Sequence, residues 1–279
     1  MTLQRLLKNN RPIIMGILNL TPDSFSDGGS YTEKGRAVYH ALEMVREGAD
    51  IIDVGGESTR PDSPRVSPEE QLRRVIEIIE ALRHTLPANI PISIDTTWSE
   101  VARVSVSAGA SIINDVRSGR DDEGIFELAA EKNLPVILMH MQGTSQTMQV
   151  APTYEDVVME VKDFLLERCQ RAQKLGVPKK NIIIDPGIGF GKTRVHNLEL
   201  MTHLGDFVRT GYPVLLGASR KRFMGEICTG TEPKDLIGAT CTTTTLGVQA
   251  GVRIFRVHDV QQNRQAADVA RAIQSFSHS

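Results

Sequence analysis

The 279-residue chain contains no apolar run approaching the length of about 18 residues that a membrane-spanning helix needs. Met1 to Arg11 carries no apolar core after its basic residues, so a secretory leader is not expected there. A basic excess is also missing: 32 Lys+Arg face 34 Asp+Glu, for a formal charge of −2. That balance excludes a nucleic-acid partner held by bulk positive charge, and an anionic ligand would have to be gripped locally. Cysteine is scarce. Cys169, Cys228 and Cys241 lie far apart with no CxxC pair, which supports neither a disulfide framework nor a zinc site. Buried thiols in a cytoplasmic chain are expected instead. No Ser/Gly linker, low-complexity tract or charge block interrupts the sequence, so residues 1–279 read as one domain.

What the chain does contain is a repeat of element type. Eight aliphatic or β-branched runs recur: Ile13 to Leu20, Ala49 to Val54, Pro91 to Thr96, Ala110 to Val116, Pro135 to Met141, Asn181 to Asp185, Pro213 to Gly217 and Val252 to Val257. They lack strict polar alternation, as strands covered on both faces do. Most gaps between them can hold a returning helix. Ser67-Pro68-Glu69-Glu70 predicts a capped helix start followed by Leu72, Val75, Ile76, Ile79 and Leu82 on one face. Similar helices are expected from Glu33 to Glu47, from Tyr154 to Leu175, and after a capping Asp259. Eight such units in this length fit a (β/α)8 TIM barrel, with a doubly wound open sheet as the competing architecture. Two longer connections, Thr21 to Thr32 and Gly55 to Val66, follow strands 1 and 2 and would lie on the catalytic face.

Nearly every run ends in a polar group: Asn19, Asp53 with Glu57, Asp95, Asn114 with Asp115, His140, Asp185, Ser219 to Arg222, then Arg256, His258 and Asp259. In a closed barrel these ends converge on one rim. Taken singly, Asp53 and Asp115 read as turn starters. Asp95, Asn114 and Asp185 lie at or inside the ends of Ile/Val-rich runs, where an unpaired polar group is costly, so they need partners. Pro186 to Thr193 resembles a P-loop only at its end, because Pro186 stands where the first glycine belongs, and the dinucleotide pattern would need a glycine where Lys192 stands; an ATPase and a dinucleotide fold are rejected on these grounds. Its glycines still permit close approach to a flat ligand beside Asp185, with Phe190 as a cover, although a plain turn accounts for them equally. Ser219 to Arg222 and Arg256 to Asp259 form two basic clusters suited to a phosphate or diphosphate. Arg222 reads as a surface residue and His140 as a structural histidine.

Five segments then make the pattern specific: MGILNLTPDSFSDGG from Met15 to Gly29, IDVGGESTRP from Ile52 to Pro61, DPGIGFGK from Asp185 to Lys192, Ser219-Arg220-Lys221, and Arg256 to Asp259. In order and spacing they resemble the signatures of the dihydropteroate synthase family, over essentially the whole chain from about Ile13 to about Asp259. The resemblance implies a TIM barrel, a homodimer and a Mg2+-dependent transferase of folate biosynthesis. The implied reaction condenses 6-hydroxymethyl-7,8-dihydropterin diphosphate with p-aminobenzoate to give 7,8-dihydropteroate and diphosphate, and sulfonamides imitate the second substrate.

By the same resemblance, Asp95, Asn114, Asp185 and Lys221 belong to the pterin pocket, with Met139 and Phe190 among the substrate-binding residues. Asn19, through Mg2+, and Arg256 with His258 would meet the leaving diphosphate. Phe25, Ser58, Thr59, Arg60 and Pro61 would approach p-aminobenzoate together with Ser219 and Lys221. Dihydropterin can delocalise positive charge from its exocyclic methylene, which favours an SN1-like displacement aided electrostatically, with the diphosphate bound before p-aminobenzoate. Two rivals are a methyltetrahydrofolate-binding methyltransferase domain, which has no need of the diphosphate groups, and a non-catalytic pterin-binding paralogue.

Overall fold

The computed structural model describes residues 3–20, 30–58 and 63–276. Eight strands appear where eight runs are expected: β1 (Ile13–Asn19), β2 (Ile51–Gly55), β3 (Ile92–Asp95), β4 (Ile112–Asp115), β5 (Val136–Met139), β6 (Ile182–Asp185), β7 (Leu215–Leu216) and β8 (Ile254–Val257). All pairings are parallel, in the order β6-β5-β4-β3-β2-β1-β8-β7. A parallel bridge between Ile184 and Val214 joins the two ends and closes the barrel, which excludes the open sheet. The β6–β7 seam is its thinnest join. Pro213, at the start of the expected seventh strand, has no N–H to donate, and only its carbonyl takes part, accepting from the Ile184 N–H at 3.0 Å.

The apolar appearance of the strands resolves into two rows once the register is known. Outward residues such as Ile14, Leu18, Ile52, Val54, Ile94, Ile113, Leu138, Ile184, Leu216 and Phe255 are buried in one large core against the surrounding helices. Inward residues change character along the barrel axis. Ile13, Met15, Ile51, Ile112, Ile137, Ile183, Leu215 and Ile254 form a closed apolar floor, completed by Leu3 of the N-terminal helix α1 (Leu3–Lys8). Above the floor, the register aligns Asn19 with Gly55, Gly55 with Asp95 and Asp95 with Asn114, a polar row across four strands. A side chain at Gly55 would meet Asn19 Oδ1 and Asp95 Cβ, each 3.6 Å away, so the missing side chain leaves the space between them open.

Ten further α-helices follow among the described residues: α2 (Ser30–Arg46), α3 (Pro68–Thr85), α4 (Ser99–Ala108), α5 (Gly124–Glu131), α6 (Val157–Lys174), α7 (Arg194–Thr202), α8 (Leu204–Val208), α9 (Arg222–Ile227), α10 (Ile237–Ala250) and α11 (Val260–Phe276). Ser67 caps α3 by accepting from the Glu70 N–H, but Glu70 does not reciprocate, since its carboxylate binds Arg73 and Arg74. Helix α6 begins three residues later than the sequence suggests. Asp156 caps it, while Glu160 folds back onto the N–H groups of Glu155 and Asp156. The expectation that Asp259 caps α11 through its side chain is overturned: its carboxylate holds Arg220 by two bonds of 3.0 and 2.6 Å. Among the described residues no helix is long and apolar enough to cross a membrane.

Candidate active site

The carboxyl ends of the strands do converge. Arg256, on β8, reaches across the barrel mouth: its Nε donates to Asp53 Oδ2 at 2.7 Å and its Nη2 to Asp95 Oδ2 at 2.8 Å. Asn114 Nδ2 also donates to Asp53 Oδ2, at 3.2 Å. These four side chains, from β2, β3, β4 and β8, form one bonded group. Burial pushes the Asp95 carboxyl above its ordinary range, with Arg256 opposing and the charges of Asp53, Glu57 and Asp115 adding to the rise.

Asp53 therefore is no turn starter. It stands mid-strand, fully buried, in register with Ile17 and Ser93. The sequence carried a signal for this, because inward positions 51, 53 and 55 alternate with the outward apolar residues Ile52 and Val54. Asp115, by contrast, does form a turn, accepting from the N–H groups of Arg117 and Gly119.

Asp185 ends β6. Its Oδ1 accepts from the Gly187 N–H at 2.7 Å. Burial raises its pKa to about 6, against the opposing effects of that N–H, Lys221, Lys192 and Arg256. Lys221 follows β7 and is half-buried, its Nζ lying 3.7 Å from the centroid of the Phe190 ring. Burial, with help from Arg256, lowers Lys221 to about 7, while Asp185 and Asp95 resist. Phe190 belongs to a small apolar group with Val116, Met139, Met141 and Met148. Together they form an apolar side of the mouth, with the Phe190 ring against the Lys221 ammonium.

The two basic clusters do not act as clusters. Arg220 is held by Asp259, Arg222 is exposed, and Lys221 turns inward. Arg256 and His258 also part company. Arg256 binds the carboxylates of β2 and β3, whereas His258 lies beyond the end of β8 and pairs with Ser219: its N–H donates to Ser219 Oγ at 3.2 Å, and its Nδ1 stands 3.0 Å from the same oxygen. With that hydroxyl accepting from the backbone, its own proton is available to Nδ1. The glycines from Gly187 to Gly191 make room mainly for protein. A side chain at Gly191 would meet the Gln142 carbonyl at 2.5 Å, and one at Gly189 would meet Lys221 Cδ at 2.8 Å. His140 is the structural residue expected, buried and bonded to Lys192. Lys192 itself, dismissed with the failed P-loop, is almost fully buried beside the site.

Asn19 ends β1 and is half-buried. Ser58 is described, accepting from Ser63 Oγ at 2.9 Å. Phe25, Thr59, Arg60 and Pro61 lie outside the described residues. An open cleft adjoins the mouth, sharing Asp95 and lined further by Glu57, Gln71, Thr97 and Arg117.

A parallel barrel with paired carboxylates, an amide and a lysine at its carboxyl rim, walled by an aromatic ring, defines an enzyme for a flat, hydrogen-bonding heterocycle. Residues 15–258 match the family described as pterin binding enzyme. The chain belongs to the dihydropteroate synthase family. It is 45% identical over 263 residues to the dihydropteroate synthase of Synechocystis, an alignment that covers 94% of this chain and 90% of that one. The dihydropteroate synthase of Yersinia pestis, solved as a sulfonamide drug complex, superposes with a TM-score of 0.89 at 40% identity and 95% coverage of both chains. The Xanthomonas albilineans enzyme in complex with 7,8-dihydropteroate gives 0.85 at 43% identity, covering 95% of this chain and 94% of that one.

Proposed function

We propose that this chain is a dihydropteroate synthase, a transferase that joins 6-hydroxymethyl-7,8-dihydropterin diphosphate to p-aminobenzoate, yielding 7,8-dihydropteroate and diphosphate. The observation that carries the reading is the convergence of Asp95, Asn114, Asp185 and Lys221 at one barrel mouth in a chain of this family.

The pterin's lactam N–H and amino groups need a two-oxygen acceptor, and Asp185 supplies one. Asn114 and Asp95 complete the edge, Lys221 donates to the ring's acceptor side, and Phe190 and Met139 cover its face. Arg256 orders Asp95 and offsets the negative charge that diphosphate brings. Ser219 with His258, and Asn19, are assigned to the diphosphate end. Phe25, Thr59, Arg60 and Pro61 are assigned to p-aminobenzoate by family resemblance.

The donor set fits Mg2+ only as a cation shared with diphosphate. Among the described residues no group of three His, Cys, Asp or Glu side chains could hold a metal, and Asn19 offers a single neutral oxygen. Mg2+ ordinarily keeps phosphate oxygens and waters in most of its shell, so one amide ligand suffices. When bound, it would neutralise charge on the leaving group.

The protein's share is positioning and electrostatics. The pocket holds the ring against Phe190 and keeps water from the methylene carbon as its bond to diphosphate lengthens. The arylamine is neutral at pH 7, so attack needs no general base. The adduct's proton leaves to solvent after the C–N bond forms. Diphosphate bound first would complete the p-aminobenzoate site. Sulfonamides would compete there.

A homodimer is proposed on the α10–α11 side, where Leu246, Val269 and Ile273 are exposed. A cytoplasmic location is supported by the three unpaired cysteines. The test of the function is an assay for dihydropteroate and released diphosphate with both substrates and Mg2+. Turnover that disappears in Asp95→Asn is expected, and absence of product from the unaltered chain defeats the reading.

A further inference from the structure

Beyond the groups assigned to substrate, one buried cation beside the site has no role in the reaction described above. Lys192 lies at the end of the arc Gly187 to Gly191, with 2% of its surface exposed. An ammonium has three N–H donors and accepts nothing. Here all three find partners: His140 Nδ1 at 2.9 Å, the Gly187 carbonyl at 3.0 Å and the Phe190 carbonyl at 3.0 Å. One ammonium thus ties both ends of the tight turn Gly187–Phe190 to the end of β5. The turn's own bond, from the Phe190 N–H to the Gly187 carbonyl, is 3.1 Å.

What this arc carries is the apolar cover of the site. Phe190 stacks over Lys221 Nζ, and Gly189 packs so closely on the Lys221 stem that an added side chain would overlap it. At its other end, the Gly187 N–H binds Asp185. The arc therefore touches two pterin-edge groups at once, while Lys192 stands behind it, on the side of His140.

We propose that Lys192 is a positioning residue for the pterin site: bound to His140 and two carbonyls of the arc, it fixes the arc that lays Phe190 against Lys221 and presents an N–H to Asp185. When Lys192 is protonated it donates to Nδ1, and His140 then accepts there as the neutral Nε2–H tautomer. Burial, then the charges of Lys192 and Arg120, hold His140 down to about 2, consistent with that state. Burial also lowers Lys192, to about 7, with Asp185 resisting and Lys221 adding to the fall. The edge-on contact of His140 with Phe164, at 5.0 Å between ring centroids, fixes the imidazole from outside.

The inference rests on the proposed function, and the experiment separates the two. Turnover of the unaltered chain is measured first; no dihydropteroate there defeats the functional reading. The dissociation constant of dihydropterin diphosphate is then measured for the unaltered chain, Lys192→Met, Phe190→Leu and the double variant. Lys192→Met is expected to weaken binding about tenfold in the unaltered background and by no more than about twofold beside Phe190→Leu, because Lys192 acts through the ring. Equal fold-changes in the two backgrounds, or none in either, overturn the proposal, since a purely structural lysine adds independently. If Lys192→Met does not fold, His140→Leu, which withdraws one of the three acceptors, replaces it in the same cycle under the same criterion.

Discussion

Below the mouth, the inward positions of the barrel carry Ile13, Ile51, Ile112, Ile137, Ile183 and Ile254; a few ångströms higher, the same alternation presents Asn19, Asp53, Asp95, Asn114, Asp185 and Arg256. The backbone is equally regular in both layers and most side chains are buried in each, although Asn19 and Arg256 of the upper layer are only half-buried. The floor stabilises simply by removing apolar surface from water. In the upper layer burial penalises the charges, and partners offset that cost; Asp53 Oδ1 and Ser93 Oγ, in register with each other, have no hydrogen-bond partner among the described residues. The contrast shows where the enzyme's stability and its chemistry reside. Floor substitutions should act on folding and spare the reaction, and rim substitutions the reverse.

The sharpest test is Asp185→Ala. It should lower kcat/KM by about a thousandfold or more, because a site built around pterin N–H donors loses its acceptor. Its melting temperature should fall less than that of a floor truncation, since the desolvation cost of the carboxylate goes with its contacts; a larger loss of stability would break the contrast. Next is Ile183→Ala in the floor, expected to cost about 2–5 kcal/mol in urea unfolding while leaving kcat/KM of the folded fraction near its original value.

Asp53→Asn, in the upper layer but fully buried, should blur the contrast. Removing the charge that faces Arg256 and Asn114 is expected to weaken dihydropterin binding about ten- to a hundredfold and lower stability as well, readable by titration and calorimetry on one sample. The smallest effect concerns pH. A carboxyl raised to about 6 is ionised above that pH and protonated below it, so dihydropterin affinity should fall by up to about tenfold per unit as pH drops below 6. Asp95 shares this limb, because burial raises it too. Asp185→Asn should therefore shift the limb, and an unshifted profile assigns the titration elsewhere.

Much of this was legible in the chain itself. Both faces of each strand are buried over most of their length, so eight aliphatic runs stand out, and the polar residues that end them mark the rim. Legibility failed where a residue's role depends on a distant partner. Asp53 reads as a turn because its cation, Arg256, lies 203 positions away. Asp259 reads as a cap because Arg220 is invisible beside it in sequence, and Lys192 vanished with a motif it only imitates. The seventh strand shrank to Leu215–Leu216 because the runs do not reveal how strands meet around a closed circle.

That short stave gives the cylinder a preferred slit. Amide protons along β6 facing residues 213 to 216 should exchange with deuterium sooner than those between β1 and β2, where five residue pairs are in register. Asp185 stands on one lip of the slit, and Lys221 follows the stave that forms the other. A pterin gripping both would act as a splint, so that ligand occupancy is written into the mechanical tightness of the wall.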